Sequence, residues 1–113
     1  MSLVNDKAVF HVSVLGENTG KKYEGDFTMK LFPSLKERGR IAVDFSRANE
    51  GNFEDQDMAA INRTVCEFLV LAESAPAWFS REQVFELQDF APLLEVKKEF
   101  EKCQSEYSAK ISH

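Results

Sequence analysis

The sequence predicts an α+β fold in which an N-terminal β-hairpin packs on a small bundle of about three helices. Two runs of alternating apolar and polar residues flank a turn-rich segment near the N-terminus. The stretch from Phe53 to Phe79 repeats apolar residues at helical spacing. At 113 residues the chain fits a single domain, which we place over 1–113, with the hairpin at 7–31 and the helical part at 34–110.

The hairpin is predicted from the period of two segments, 7–15 and 22–31. Successive side chains in each segment alternate between two faces, as they do in a β-strand. The residues between them are rich in Gly, Asn and Thr, which favours a turn longer than the tightest hairpin loops. Because a lone hairpin is only marginally stable in water, Phe10, Phe27 and Met29 must pack on the helices.

The first helix is predicted to begin at a capping box. Ser34 and Glu37 have the spacing at which each side chain accepts a hydrogen bond from the other residue's backbone N–H. The helical pattern continues to about Ala48, although Gly39 weakens its middle. Gly51 is a plausible C-terminal stop because glycine adopts the left-handed conformation easily.

The central helix is predicted to start after Asn52 and to end at Pro76, since the residue before a proline avoids the helical region. Its apolar stripe consists of Met58, Ile61, Val65, Phe68, Leu69 and Ala72. Glu54, Asp55 and Asp57 fall in the first turn, where the helix dipole favours negative charge. No calcium-loop spacing accompanies these acids, so we prefer the dipole explanation to a metal site.

The last helix is predicted to follow two further start signals. Ser80 and Gln83 form a second possible capping box before a short helical turn, and Asp89 is placed to cap the final helix with Pro92 in its first turn. The final helix carries an apolar seam at alternating steps of three and four residues: Leu93, Val96, Phe100, Cys103 and Tyr107.

Composition and charge favour a cytosolic protein that binds other proteins. No apolar run approaches the ~20 residues of a membrane span, and no signal peptide is expected. Residues 1–50 contain 8 Lys+Arg and 7 Asp+Glu, net +1, whereas residues 51–113 contain 6 and 12, net −6. An acidic second half disfavours nucleic-acid binding. The charge difference favours a protein partner, including a second copy of the chain.

The sequence offers no pattern for catalysis. It contains no dinucleotide-binding, P-loop, nucleophile-elbow or HExxH motif. His11 and His113 lie far apart, and Cys66 and Cys103 fall within helical patterns, where we expect reduced thiols. Two His and two Cys at such separations do not suit a zinc site. We therefore expect no enzymatic activity, no catalytic residue, no cofactor and no metal.

Two groups of side chains are candidates for binding. Lys36, Arg40 and Arg47 share one face of the first helix, which we interpret as a solvated face in preference to a phosphate-binding strip. The second group is aromatic and has two interpretations: a cluster that seals the helix ends, which burial trends favour, or a partly exposed groove for an apolar partner segment. Its members are Trp78, Phe79, Phe85 and Phe90.

The order of short motifs resembles the tail assembly chaperones of long-tailed bacteriophages. A Thr-Gly-x-x-Tyr-x-Gly-x-Phe-x-x-Lys hairpin at 19–30 precedes the helices, and Ala75-Pro-Ala-Trp-Phe is followed by Leu87-Gln-Asp89 and a final helix. Phe79 stands where a second Trp is usual in that family. The resemblance covers about residues 8–105.

The resemblance implies a non-enzymatic role in the host cytoplasm. Such chaperones bind the tape-measure protein and themselves during tail morphogenesis, and the tail-tube protein is a further partner. A chain that stops at His113 would correspond to the short of the two forms that a ribosomal frameshift produces. The alternatives are a structural virion or tail-completion protein and a small acidic host-interaction protein.

Overall fold

The computed structural model describes residues 7–49 and 56–111. Over these ranges the predicted α+β class is confirmed, since an antiparallel β-hairpin is followed by three α-helices. No described helix combines the length and the apolar character that a membrane crossing needs. The elements are β1 Lys7–Leu15, β2 Lys22–Lys30, α1 Leu35–Asn49, α2 Gln56–Leu71, β3 Ala72–Ser74, a 3-10 helix at Val84–Glu86 and α3 Ala91–Ile111.

The hairpin has the register and the two faces that its sequence predicts. Phe10 pairs with Phe27 across the strands. Their rings stack with centroids 5.1 Å apart. Residues on this face are buried, whereas Val9 and Leu15 on the opposite face are exposed. The alternation of apolar and polar residues therefore sets which face enters the core.

A third strand corrects the predicted end of the central helix. Helix α2 ends at Leu71, and the chain continues as β3 instead of remaining helical to Pro76. β3 is antiparallel to β2 and pairs Ser74 with Thr28. The outer edge of β2 offers unpaired backbone groups, and pairing with them replaces the last turn of the predicted helix.

The described chain forms two compact units. The first contains the hairpin with residues 72–111, and the second contains residues 32–49 and 56–71. The first unit is discontinuous in sequence, because the second is inserted between β2 and β3. The placement of 1–113 in a single domain stays a prediction.

In the first unit, α3 runs the length of the hairpin and packs on β1. The backbone N–H of Ala91 lies 3.0 Å from Glu17 in the hairpin turn. Further along the same helix, the side chain of Gln104 donates to the Leu31 carbonyl at 2.8 Å, beyond the other end of β2. The predicted seam faces this packing, and Val96 is fully buried.

The second unit pairs α1 with α2. The predicted capping box at its start is confirmed: Ser34 N donates to Glu37 Oε1 at 2.8 Å, and Glu37 N donates to Ser34 Oγ at 3.1 Å. Between the helices, the Arg63 guanidinium lies 5.6 Å from the centroid of the Phe45 ring. This distance suits a cation–π contact.

The apolar stripe of α2 is confirmed in its centre and wrong at its ends. Val65 and Phe68 are buried, whereas Met58 is exposed and Ala72 belongs to β3. Several predicted residues lie outside the described ranges. They are the stop after α1, Gly51, the cap of α2, Asn52, and two members of the acidic trio, Glu54 and Asp55. Asp57 lies in α2, and its side chain is also outside the description.

Replacing Phe27 by Ala should destabilise the fold strongly. Phe27 is fully buried and contacts several rings, so the variant loses its transfer free energy and leaves a cavity, at a cost of about 3–5 kcal/mol. Leu15→Ala, on the exposed face of the same hairpin, is the matched control and should change stability little. Urea unfolding curves of both variants measure the difference, and equal stabilities would contradict the assignment of faces.

Candidate partner-binding site

The buried carboxylate of Asp89 ties the start of α3 to the hairpin turn. Asp89 as a whole residue is only 2% exposed to solvent. Oδ1 accepts hydrogen bonds from the backbone N–H groups of Asn18 at 2.7 Å and Thr19 at 3.0 Å. Oδ2 accepts from the Thr19 hydroxyl at 2.5 Å and from the Tyr23 hydroxyl at 2.8 Å. Four donors therefore converge on one carboxylate.

These donors control the ionisation of Asp89. Burial by itself raises the pKa of a carboxyl group, but the hydrogen bonds from Thr19, Asn18 and Tyr23 outweigh it and lower the pKa of Asp89 from 3.8 to about 2. Burial and the hydrogen bond to Asp89 raise the pKa of the Tyr23 phenol. Asp89 is therefore ionised and Tyr23 is protonated at neutral pH.

Glu17, and not Asp89, caps the N-terminus of α3. Its Oε2 accepts from the Phe90 N–H at 2.9 Å, and its Oε1 accepts from the Ala91 N–H at 3.0 Å. The hydrogen bonds from Ala91 and Phe90 lower the pKa of the Glu17 carboxyl. The prediction that Asp89 caps its own helix is wrong, because its carboxylate is turned instead toward the hairpin.

Gly16 allows the hairpin turn to lie close enough to the start of α3 for these hydrogen bonds to form. A Cβ atom at Gly16 would overlap the carboxylate of Asp89, so a larger residue would push the turn away from α3. The Asn18 side chain adds a hydrogen bond to the Gln88 carbonyl at 2.7 Å. Two carboxylates from distant parts of the chain thus satisfy each other's neighbouring backbone donors.

The segment after β3 follows the outer edge of β2. A Cβ atom at Gly25 would lie 2.6 Å from the Cβ of Pro76, so only glycine permits this approach. Pro76 has no N–H to donate to the strand. Two residues later, the indole Nε1 of Trp78 donates to the Glu24 carbonyl at 3.2 Å. A side-chain donor thus continues the edge contact where the backbone cannot.

Trp78 and Phe79 have different environments. Trp78 is half-buried, and its ring packs edge-on against Tyr23 and Phe27 with centroids 5.4 Å and 5.7 Å away. Phe79 is buried, with its centroid 5.3 Å from that of Phe27. Phe79 therefore belongs to the core, and its inclusion in a partner-binding surface is corrected. Trp78 combines a core contact with a partly accessible ring.

Phe85 and Phe90 are the exposed members of the aromatic group, at 47% and 45%. Phe85 lies in the 3-10 helix, whose N-cap residue Gln83 makes no side-chain capping hydrogen bond. The predicted capping box of Ser80 and Gln83 is therefore wrong, and backbone turns to the Ser80 carbonyl replace it. The sequence located these aromatic residues without separating the buried ones from the exposed ones.

A shallow cavity of about 110 Å³ lies beside the C-terminal part of α3. It is lined by Lys7, Val9, Cys103, Glu106, Tyr107 and Lys110. Burial, followed by the negative charges of Glu106 and Glu99, raises the pKa of the Cys103 thiol. A thiol with a raised pKa is a poor nucleophile at neutral pH.

Comparison of the chain with models of protein families, with curated proteins and with solved structures finds no match. Within the described ranges, no three His, Cys, Asp or Glu side chains are grouped as a metal site requires. Of the four aromatic residues in the candidate group, Trp78 is half-buried and Phe85 and Phe90 are exposed.

The free energy of unfolding should decrease at acidic pH because of Asp89. Its pKa is depressed in the folded state, so its stabilising contribution is complete above pH 3.8 and is lost as the pH falls through about 2. Asp89→Asn should lower the melting temperature at pH 7 and flatten the fall in stability between these pH values. Thermal melts from pH 7 to pH 2 provide the measurement.

The matched control is Glu82→Gln, because Glu82 is an exposed carboxylate. This variant should retain the acid-dependent fall of the unaltered protein. If Asp89→Asn and the control melt alike at every pH, the carboxylate of Asp89 does not stabilise the turn.

Proposed function

We propose that this protein is a non-enzymatic tail assembly chaperone of a long-tailed bacteriophage. It acts in the host cytoplasm, where it binds the tape-measure protein and further copies of itself during tail morphogenesis. The tail-tube protein is a further partner. The proposal rests on the order of the sequence motifs and on the way in which their residues meet.

The observation that carries the proposal is the contact between the two motif blocks. Thr19 and Tyr23 of the hairpin motif both donate to Asp89 of the second block. Gly25 of the hairpin motif contacts Pro76 of the second block. Residues 66 and 70 positions away in the chain thus meet at the Asp89 carboxylate. This supports the view that the motifs are one signature and not a set of chance matches.

The accessible aromatic side chains of Trp78, Phe85 and Phe90 suit the binding of an apolar helical segment. Trp78 is fixed by its hydrogen bond and ring contacts, so it loses little conformational entropy when a partner covers it. Trp is enriched among residues that dominate binding energy, and Phe85 and Phe90 supply exposed apolar area. An amphipathic tape-measure helix would present its apolar residues at helical spacing to such a surface.

The double variant Phe85→Ala/Phe90→Ala should lose binding without losing the fold. Both rings are about half exposed, so their removal has a small effect on the core, whereas truncation of central interface aromatics weakens binding by about 2 kcal/mol or more. The measurement is a pull-down of this chain with a co-expressed tape-measure protein from the same genome, together with a thermal melt.

Val9→Ala is the matched control for this experiment, because Val9 is exposed and lies near the end of β1 opposite the hairpin turn. It should bind as the unaltered protein does. A folded double variant that still retains the tape-measure protein would remove this surface from the proposal. Finding the chain in purified particles would favour the structural virion protein, since an assembly chaperone leaves before the particle is complete.

Self-association should depend on salt. The halves of the chain carry net charges of +1 and −6, so head-to-tail contacts between copies bring unlike charges together. Screening at high ionic strength weakens such contacts. Light scattering over a range of concentrations should show assemblies at low salt that become smaller near 1 M salt. A monomer at every concentration and salt would contradict self-association.

A further inference from the structure

Helix α1 has an exposed face with an apolar centre. The helix buries Ile41, and the residues opposite it are exposed. At about 100° per residue, Leu35, Gly39 and Val43 lie close together on that opposite face. Leu35 is 87% exposed and Val43 is 52% exposed. Two large apolar side chains thus face outward on either side of a glycine.

Basic residues border this apolar strip on both sides. By the same helical geometry, Lys36, Arg40 and Arg47 lie along one flank and Arg38 lies along the other. All four are exposed. None of them forms an ion pair with another residue in the described ranges. Exposed basic side chains thus border the strip on both sides.

Gly39 is an independent sign of close approach from outside. Glycine inside a helix is destabilising relative to alanine. A Cβ atom built at Gly39 would meet nothing within 4 Å, so the packing around it does not require a glycine. A missing side chain at the centre of an exposed strip allows another backbone to come close. The strip therefore combines two exposed apolar side chains, Leu35 and Val43, with a shallow depression at Gly39.

We infer that the face formed by Leu35, Gly39 and Val43 with its basic flanks binds a helix of a partner protein, whose own apolar strip is bordered by acidic residues. The apolar strip supplies the contact area, and the basic flanks select the acidic borders. Another α1 does not fit, because both flanks are basic and two such helices would bring like charges together.

Two other classes of partner fit this face less well. The net charge of −5 opposes binding to nucleic acid or to an anionic membrane as a whole. The glycine between the apolar residues favours close contact with a helix, whereas lipid insertion would favour bulky side chains at that position. The inference goes beyond the proposed tail-assembly role and does not depend on it, since Trp78, Phe85 and Phe90 belong to the other unit.

The test uses the full chain and a designed peptide of about 20 residues, long enough to be helical in water. The peptide carries an Ala/Leu strip bordered by Glu, and its control carries Lys at every Glu position. Fluorescence anisotropy measures the Kd of each labelled peptide. Two protein variants are used. Gly39→Leu fills the depression at Gly39, and Lys36→Glu/Arg40→Glu reverses the charge of one basic flank. Lys102→Glu on the exposed side of α3 is the control for a charge reversal elsewhere on the surface.

The acidic peptide should bind at least about tenfold more tightly than the basic one, and its affinity should fall as salt rises. Gly39→Leu should fold at least as well, because leucine favours helix and the position is open, yet bind the acidic peptide at least about tenfold more weakly. The flank reversal should have a similar effect, and Lys102→Glu should have little.

Four results would overturn the inference. They are equal affinity for the two peptides, no detectable binding of the acidic peptide, unchanged binding by Gly39→Leu, and binding to anionic lipid vesicles that the flank reversal abolishes. The last result would assign the face to a membrane surface. Neither it nor the others bears on the binding of tape-measure protein, which the Phe85→Ala/Phe90→Ala variant tests separately.

Discussion

The first unit depends on one buried carboxylate. Asp89 gathers four hydrogen bonds from the hairpin, and without those donors a carboxylate this buried would be unfavourable. Glu17 makes the reverse connection, from the hairpin turn to the first free N–H groups of α3. The N–H groups of Asn18 and Thr19 in the turn, and those of Phe90 and Ala91 at the helix start, donate to a carboxylate of the other element. These reciprocal hydrogen bonds join two segments that are about 70 residues apart in the chain.

Both strands of the hairpin also contact other segments of the chain. Helix α3 packs on β1, and Cys103 and Val9 line the same small cavity. Along β2, the short strand β3 is followed by Pro76 and by the indole of Trp78. Strand edges that remain open invite pairing with other chains. Part of the outer edge of β2 is thus paired by a strand of the chain itself.

The candidate surfaces lie on two differently built units. Trp78 is held by the hairpin and by the rings around it, so the aromatic surface is preorganised by the same contacts that stabilise the core. Helix α1 instead owes its start to the capping box of Ser34 and Glu37 and its anchoring to α2. The two proposed surfaces therefore belong to different units of the fold.

The sequence by itself determined the elements whose signals are local. The period of two in β1 and β2, the capping box at Ser34 and the apolar seam of α3 each depend on neighbours within a few residues, so they could be predicted. The aromatic group was also found from sequence, because a dense run of Trp and Phe is visible without a structure.

Tertiary structure alone decided the rest. Asp89 had the sequence position of a helix cap, but donors some 70 residues away outnumbered the local ones. Ala72 continued a helical pattern, but the open edge of β2 recruited it into a strand. Phe79 is buried and Phe85 is exposed because of where the hairpin lies, which no short window of sequence contains. Hydrogen bonds and burial between distant residues override local preference when they satisfy groups that would otherwise have no partner.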